Sequence, residues 1–236
     1  GSRITFSLFQ VVSSHYMQLA HYIDHSYLRP DCTEEIIDRL IAESKEYGFK
    51  AICIPPMYLQ YAKVHSGDRS FLLCTVAGFP IGYDHVEAKL ASLRRSADLG
   101  ADEVDVVINL SAVKTGHWKL TRQELTALSQ TAAEHNVTLK CIIEAQLLTE
   151  DEIMRICEIS NELKLQFVKT STGFFGDPVR EDTIRLLRRN LDPSIRIKAS
   201  GGINNYNQAM KMIRAGADRL GCSQSVAIVK ETNQDQ

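Results

Sequence analysis

The residues best suited to covalent chemistry are two lysines near the ends of short apolar runs, Lys169 after Gln166-Phe167-Val168 and Lys198 after Ile195-Arg196-Ile197. Asp105 stands inside a third such run, Glu103-Val104-Asp105-Val106-Val107-Ile108. Side chains alternate along an extended strand, so Glu103, Asp105, Val107 and Asn109 share one face. By the same alternation Lys140, Ile142 and Glu144 share a face, as do Phe167 with Lys169 and Arg196 with Lys198. Turned toward a protein interior, such charges cost about several kcal/mol each unless they are paired. A buried ion-pair network that fixes strand register is one account of Lys140, Glu144 and Arg196. It accounts less well for Lys169 and Lys198, because two neighbouring lysines repel. Repulsion and partial burial both favour the free amine, which is the nucleophilic form. An amine that attacks a carbonyl gives an imine, and a protonated imine draws electrons from a neighbouring C–C bond. A carboxylate within reach can move the protons.

Three small-residue turns suggest where an anion binds. Thr170-Ser171-Thr172-Gly173 follows the Lys169 run, Ser200-Gly201-Gly202 follows the Lys198 run, and Gly221-Cys222-Ser223 comes last. Small residues let backbone N–H groups approach a phosphate, and a helix starting near Ser223 adds its positive end. One Gly-Gly pair is commonly only a turn; three in this order favour a phosphate-bearing substrate.

These residues must be held by elements, and the chain from Ala20 onward alternates between two periods. Strands are expected at 20–24, 50–54, 71–77, 103–108, 138–143, 166–169, 195–199 and 218–221. Helices are expected near 33–47, 56–65, 84–99, 121–135, 150–163, 180–189, 205–215 and 224–231. Thr33 with Glu34 and Glu35 opens the first helix and Gly48 closes it, and Thr149 with Glu152 reads as a capping box. Eight strand–helix units make a single-domain (β/α)8 TIM barrel, in which catalytic groups sit at the C-terminal strand ends and phosphate at the last loops. A doubly wound sheet would carry a GxGxxG turn after its first strand, where this chain reads Ile23-Asp24-His25-Ser26-Tyr27-Leu28.

Bulk properties narrow the function classes. The 236 residues are 44% hydrophobic and 24% charged, which suits one large folded domain. Lys plus Arg number 27 against 29 Asp plus Glu, a formal charge of -2, so there is no basic field for nucleic acid or anionic lipid. No apolar run reaches the length of a membrane span. Six cysteines, at 32, 53, 74, 141, 157 and 222, include no CxxC pair, and reduced thiols in the cytoplasm are expected. Seven histidines include no HxH or HExxH, so no metal or other cofactor is expected; His25, His85 and His117 are read as loop hydrogen-bonders. Trp118 is expected on the barrel rim or at a subunit contact. Residues 1–16, opening Gly1-Ser2 and preceding Met17, are read as a tag or disordered extension, with the barrel domain spanning 17–236.

The run Val168-Lys169-Thr170-Ser171-Thr172-Gly173-Phe174, with Lys198-Ala199-Ser200-Gly201-Gly202-Ile203, closely resembles the deoxyribose-phosphate aldolase family. Ile23-Asp24-His25-Ser26, Gly78-Phe79-Pro80 and Gly100–Asn109 resemble it too, so the likeness runs from about Ala20 to Lys230. The resemblance implies a class I aldolase that reversibly cleaves 2-deoxy-D-ribose 5-phosphate to acetaldehyde and D-glyceraldehyde 3-phosphate. It implies Lys169 as the Schiff-base lysine, Lys198 as the neighbouring charge that keeps its amine free, and Asp105 as a proton donor and acceptor through a water. Gly173, Gly201, Gly202 and Ser223, with Thr170 in the same turn region, are implied at the phosphate, and Asp24 and Ser26 near the substrate hydroxyls. Cys53 matches a pocket cysteine of the family and is equally well read as core filler. A homodimer is the family's common assembly.

The chain departs from the family in four places. The loop after Gly173 is the short Phe175-Gly176-Asp177-Pro178-Val179-Arg180-Glu181 instead of a longer Gly-rich one. Arg29 replaces a usual lysine, Gln224 stands where a second small residue is common, and no C-terminal tyrosine is present. These bear on rate and phosphate preference. The alternatives are a Schiff-base aldolase for another aldehyde, and a barrel that binds a sugar phosphate without turnover.

Overall fold

A computed structural model of the chain describes residues 18–231; the expectations for residues 1–16 and for the C-terminal tail lie outside these. Eight strands close into a barrel in sequence order, each parallel to the next, with the last paired to the first. They are β1 Ile23–Ser26, β2 Ala51–Cys53, β3 Leu72–Ala77, β4 Glu103–Val107, β5 Thr138–Ile142, β6 Phe167–Lys169, β7 Arg196–Ser200 and β8 Arg219–Cys222. The helices are α1 Glu34–Tyr47, α2 Leu59–Ser66, α3 Val86–Asp98, α4 Leu110–Lys114, α5 Trp118–Glu134, α6 Glu150–Leu163, α7 Glu181–Asn190, α8 Tyr206–Ala215 and α9 Ser225–Glu231.

Local chemistry accounts for most boundaries. The Thr33 side chain accepts the Ile36 N–H at the start of α1, and the capping box of Thr149 and Glu152 opens α6. β1 begins three residues later than the strand expected at 20–24, because a turn bonds Tyr22 N–H to the Leu19 carbonyl first. The helix expected over 56–65 divides into a tight turn at Pro56–Tyr58 and α2, since a proline opens it. The short α4 was not anticipated: five residues show no periodicity, and it forms because Asn109 caps the Ala112 N–H. Trp118, expected on the barrel rim or at a subunit contact, begins α5 and is half-buried, one side of it against the main core.

The core lies mainly between the strands and the surrounding helices. Val104, Val106 and Ile108 face it from β4, as alternation requires, with Cys141 from β5 and Val168 from β6. The barrel interior is different. A small separate apolar cluster of Ala51, Cys53, Cys74 and Val76 fills the side under β2 and β3. Charged side chains fill the rest.

Candidate active site

The register of β4 to β8 brings the charges together. Asp105 is level with Lys140 across β4 and β5, and Lys169 with Lys198 across β6 and β7. All four point inward and are buried. Lys169 Nζ donates to Asp105 Oδ2 at 2.8 Å, and Lys198 Nζ to the same oxygen at 2.7 Å. Lys140 Nζ donates to Asp105 Oδ1 at 3.0 Å. The expected repulsion between Lys169 and Lys198 is thus bridged by one shared carboxylate oxygen.

A second group of charges continues the network. Lys198 pairs with Asp24 Oδ2 at 2.5 Å, Lys140 with Glu103 at 2.5 Å, and Arg219 Nη1 donates to Asp24 and Glu103 at 2.8 Å each. Lys140, Lys169, Lys198 and Arg219 therefore face Asp24, Glu103 and Asp105, four bases against three acids. Burial disfavours the charges of Asp24, Asp105 and Lys198, yet the attraction of their partners outweighs it. Asp105 is held well below the usual carboxylate range by Lys140, Lys169 and Lys198, and Asp24 is lowered by Lys198, Lys140 and Arg219. Lys198 is held well above the usual lysine range by Asp105 and Asp24.

A cavity of about 690 Å³ opens at the C-terminal ends of the strands and reaches this network. Lys169 and Lys198 both line it, along with Ser26, Gly173, Gly201, Gly202 and Ser223. Seven of the ten residues singled out in the sequence thus meet in one wall. Asp105 lies directly beneath, bonded to both lysines. Asp24 is fully buried, and its carboxylate is taken up by Arg219 and Lys198. Thr170 is also buried; its hydroxyl donates to the Ser200 carbonyl and accepts the Ser200 N–H, tying β6 to β7. Ser26 lines the cavity while its hydroxyl donates to the Cys222 carbonyl.

Other residues sort by which side of the barrel they face. Arg196 stacks over Phe167, 4.2 Å to its ring, at the N-terminal end and outside the network. Glu144 has left-handed backbone, φ 47°, and its carboxylate accepts the Thr172 N–H and hydroxyl, fixing the Lys169 loop. Cys53 reaches the cavity wall, and the Cys74 thiol, pushed up by burial, donates to Asp105 at 3.2 Å. His25 is on β1, not in a loop, and its ring contacts Ser225 at 2.9 Å and Glu43 at 2.6 Å.

Sequence reasoning missed Arg219, Lys89 and Glu124. Arg219 carries the same inward parity as Gly221 on β8, a readable signal. Lys89 and Glu124 each fall on the buried stripe of their helix, which is where a charge most needs a partner. Cys53, Cys74 and Asp105 converge closely enough to hold a cation, as do Asp24, Cys74 and Glu103. Their carboxylates, however, are already engaged by ammonium and guanidinium groups, a donor set that leaves a metal little charge to neutralise.

A family model described as DeoC/LacD family aldolase matches residues 18–228. The chain belongs to that aldolase family. Among curated relatives, deoxyribose-phosphate aldolase from Staphylococcus carnosus is 40% identical over 93% of this chain and 99% of its own length. The deoxyribose-phosphate aldolase of Streptococcus suis is 39% identical over the same shares. The solved deoxyribose phosphate aldolase of Aeropyrum pernix, a tetramer, superposes with a TM-score of 0.87 at 28% identity, covering 96% of this chain and 97% of that one. The TIM barrel and the aldolase class expected from the sequence both hold for this member of the family.

Proposed function

We propose that this aldolase reversibly cleaves 2-deoxy-D-ribose 5-phosphate to acetaldehyde and D-glyceraldehyde 3-phosphate through an imine on Lys169. The supporting observation is the contact of Lys169 with an Asp105 oxygen that Lys198 shares, at the floor of a cavity walled by glycine turns. Lys169 adds to C1 of the open-chain aldehyde, and loss of water gives the protonated imine. The C3 hydroxyl proton passes to Asp105 through a water, the C2–C3 bond breaks, and its electrons flow into the imine to give an enamine. D-Glyceraldehyde 3-phosphate leaves, C2 takes a proton, and water returns to release acetaldehyde and the amine. The linked interior has one base more than it has acids, and Lys169 is a base open to the cavity that is not also tied to Asp24 or Glu103. Lys198, paired with two carboxylates, is the standing positive charge beside it.

Gly173, Gly201, Gly202 and Ser223 form the phosphate end of the cavity in this reading, and Ser26 lies near the sugar hydroxyls. Thr170 and Asp24 act one step back, Thr170 by joining β6 to β7 and Asp24 by holding Lys198. The substrate is a small sugar phosphate. A homodimer in the cytoplasm completes the reading, supported for the compartment by six cysteines that form no disulfide; light scattering tests the dimer.

The deciding experiment is borohydride trapping with acetaldehyde, followed by digestion and mass spectrometry. We expect an ethyl group on Lys169, competed away by 2-deoxy-D-ribose 5-phosphate and absent in Lys169→Ala. No adduct on Lys169 refutes the mechanism.

A further inference from the structure

Negative charge is unevenly shared in the barrel interior. Lys169 reaches one carboxylate oxygen, Asp105 Oδ2, and divides it with Lys198. Each of the other cations spans at least two carboxylates. Lys198 also holds Asp24 at 2.5 Å; Lys140 holds Glu103 at 2.5 Å and lies 3.8 Å from Asp24. Arg219 forks between the same two acids. Its Nη1 donates to Asp24 Oδ1 and Glu103 Oε2 at 2.8 Å each, and its Nη2 to Glu103 Oε1 at 3.2 Å. Arg219 is level with Lys198 across β7 and β8, is buried, and forms no part of the cavity wall.

That fork decides how the acids are divided. Without it, three lysines and three carboxylates pair one to one: Lys140 with Glu103, Lys198 with Asp24 and Lys169 with Asp105. A guanidinium that takes a share of Glu103 and Asp24 turns Lys140 and Lys198 to Asp105 as well, so one carboxylate serves three lysines. The interior then has one base too many, and a buried charge without a counter-ion is costly. Arginine does not release its proton in proteins. Burial works against the charge of Arg219, yet Asp24 and Glu103 hold it above the usual guanidinium range. Burial likewise opposes Lys140, and Asp105 and Glu103 keep it above the lysine range, where Lys198 also stands. Lys169 is left with the smallest share of negative charge.

We propose that Arg219 is a positioning residue for the nucleophile: by occupying Asp24 and Glu103 from β8, it denies Lys169 a carboxylate of its own and leaves that amine free to add to the carbonyl. This rests on Lys169 being the imine lysine. Other titratable groups surround the same interior. The Cys53 and Cys74 thiols face it from β2 and β3; burial pushes Cys74 up, while a bond with Cys74 lowers Cys53 against burial. Glu144, just after β5, is taken up by Thr172. At the cavity mouth Arg29 pairs with Asp31, and Glu43 with Arg39 and His25. Arg219 bonds Asp24 and Glu103 instead, so its replacement acts through those two acids.

The test follows kcat/KM for 2-deoxy-D-ribose 5-phosphate against pH in wild type, Arg219→Met, Glu103→Gln and the double variant, each checked by thermal unfolding. Labelling by acetaldehyde and cyanoborohydride, read on the Lys169 peptide by mass spectrometry, runs over the same pH series, so that titration of Cys53 is not mistaken for that of the amine. Arg219→Met should move the acid-side midpoint upward by about one pH unit, the scale of a changed neighbouring charge. Glu103→Gln removes an anion instead and should move it downward. The double variant again has one base more than it has acids and should return close to the wild-type midpoint. Lost packing alone lowers rates without shifts of opposite sign. Midpoints that stay in place, that move the same way in both single variants, or that fail to return in the double variant overturn the proposal. If Arg219→Met does not fold, Glu103→Gln and the double variant decide by the same signs. Borohydride trapping of acetaldehyde on wild type separates two failures. A labelled Lys169 with unmoved midpoints removes only the role of Arg219, whereas an unlabelled Lys169 removes the imine reading beneath it.

Discussion

Asp105 holds the Nζ atoms of three lysines on two oxygens, at 2.7 to 3.0 Å, and much of the site's geometry depends on it. Its replacement by asparagine keeps the shape and removes the charge. We expect kcat to fall by about 10²–10⁴-fold, the usual range for a lost proton-transfer group. Stability should fall as well, by about 3–5 kcal/mol, because buried lysines lose their counter-ion. Urea unfolding measured beside kcat separates the two effects. Asp105 lies well below the carboxylate range and Lys198 well above the lysine range, so neither changes charge between about pH 5 and 9. A limb in the kcat/KM profile within that window therefore belongs to another group.

At the scale of elements, the loops after β6 and β7 carry the proposed phosphate end and meet at Gly202. Its φ is 70°, and a Cβ there would come within 2.6 Å of Pro178. Gly202→Ala must therefore shift one loop against the other, beyond the roughly 1–2 kcal/mol that left-handed backbone costs an L-residue. We expect KM for 2-deoxy-D-ribose 5-phosphate to rise about tenfold with kcat less affected, since binding that helps ground and transition states alike sits in KM. Unphosphorylated 2-deoxy-D-ribose should show no matching rise in KM. The helix pair α3 and α5 offers a second test. Lys89→Met leaves Glu124 buried without its cation and should cost about 3–5 kcal/mol, and Lys89→Met with Glu124→Leu should recover part of it. A double-mutant cycle in urea measures that coupling.

For the whole molecule, acid is the vulnerable direction. Burial lowers the pKa of His25 below 6.5, although Glu43 opposes the shift and Arg39 adds to it. Asp24 and Asp105 are likewise lowered from 3.8. In each case the unfolded chain binds more protons in the intervening window, so unfolding gains as pH drops. Stability from His25 is complete above about pH 6.5 and is lost as pH falls through its folded value; that from the carboxylates begins to fail below about 3.8. Melting temperature followed from pH 8 downward should show both declines, and His25→Asn should remove the earlier one. No helix among the described residues is long and apolar enough to cross a membrane.

The sequence by itself determined the eight strand–helix units, because two hydrophobic periods and a few caps are local properties of the chain. It also marked Lys169, Lys198 and Asp105, since charges at inward positions of apolar strands are conspicuous without any knowledge of their partners. Partners are what only the tertiary structure decided. That Asp105 bridges two lysines, and that Arg219 from β8 reaches Glu103 on β4, depends on barrel closure and register, which no single strand encodes. The same holds for Cys53 and Cys141, which look alike in sequence: one faces the interior beside the cavity and the other the helices. Lys89 and Glu124 were invisible for a related reason. Their surroundings come from loops and helices far apart along the chain, brought together only when the barrel buries what it must.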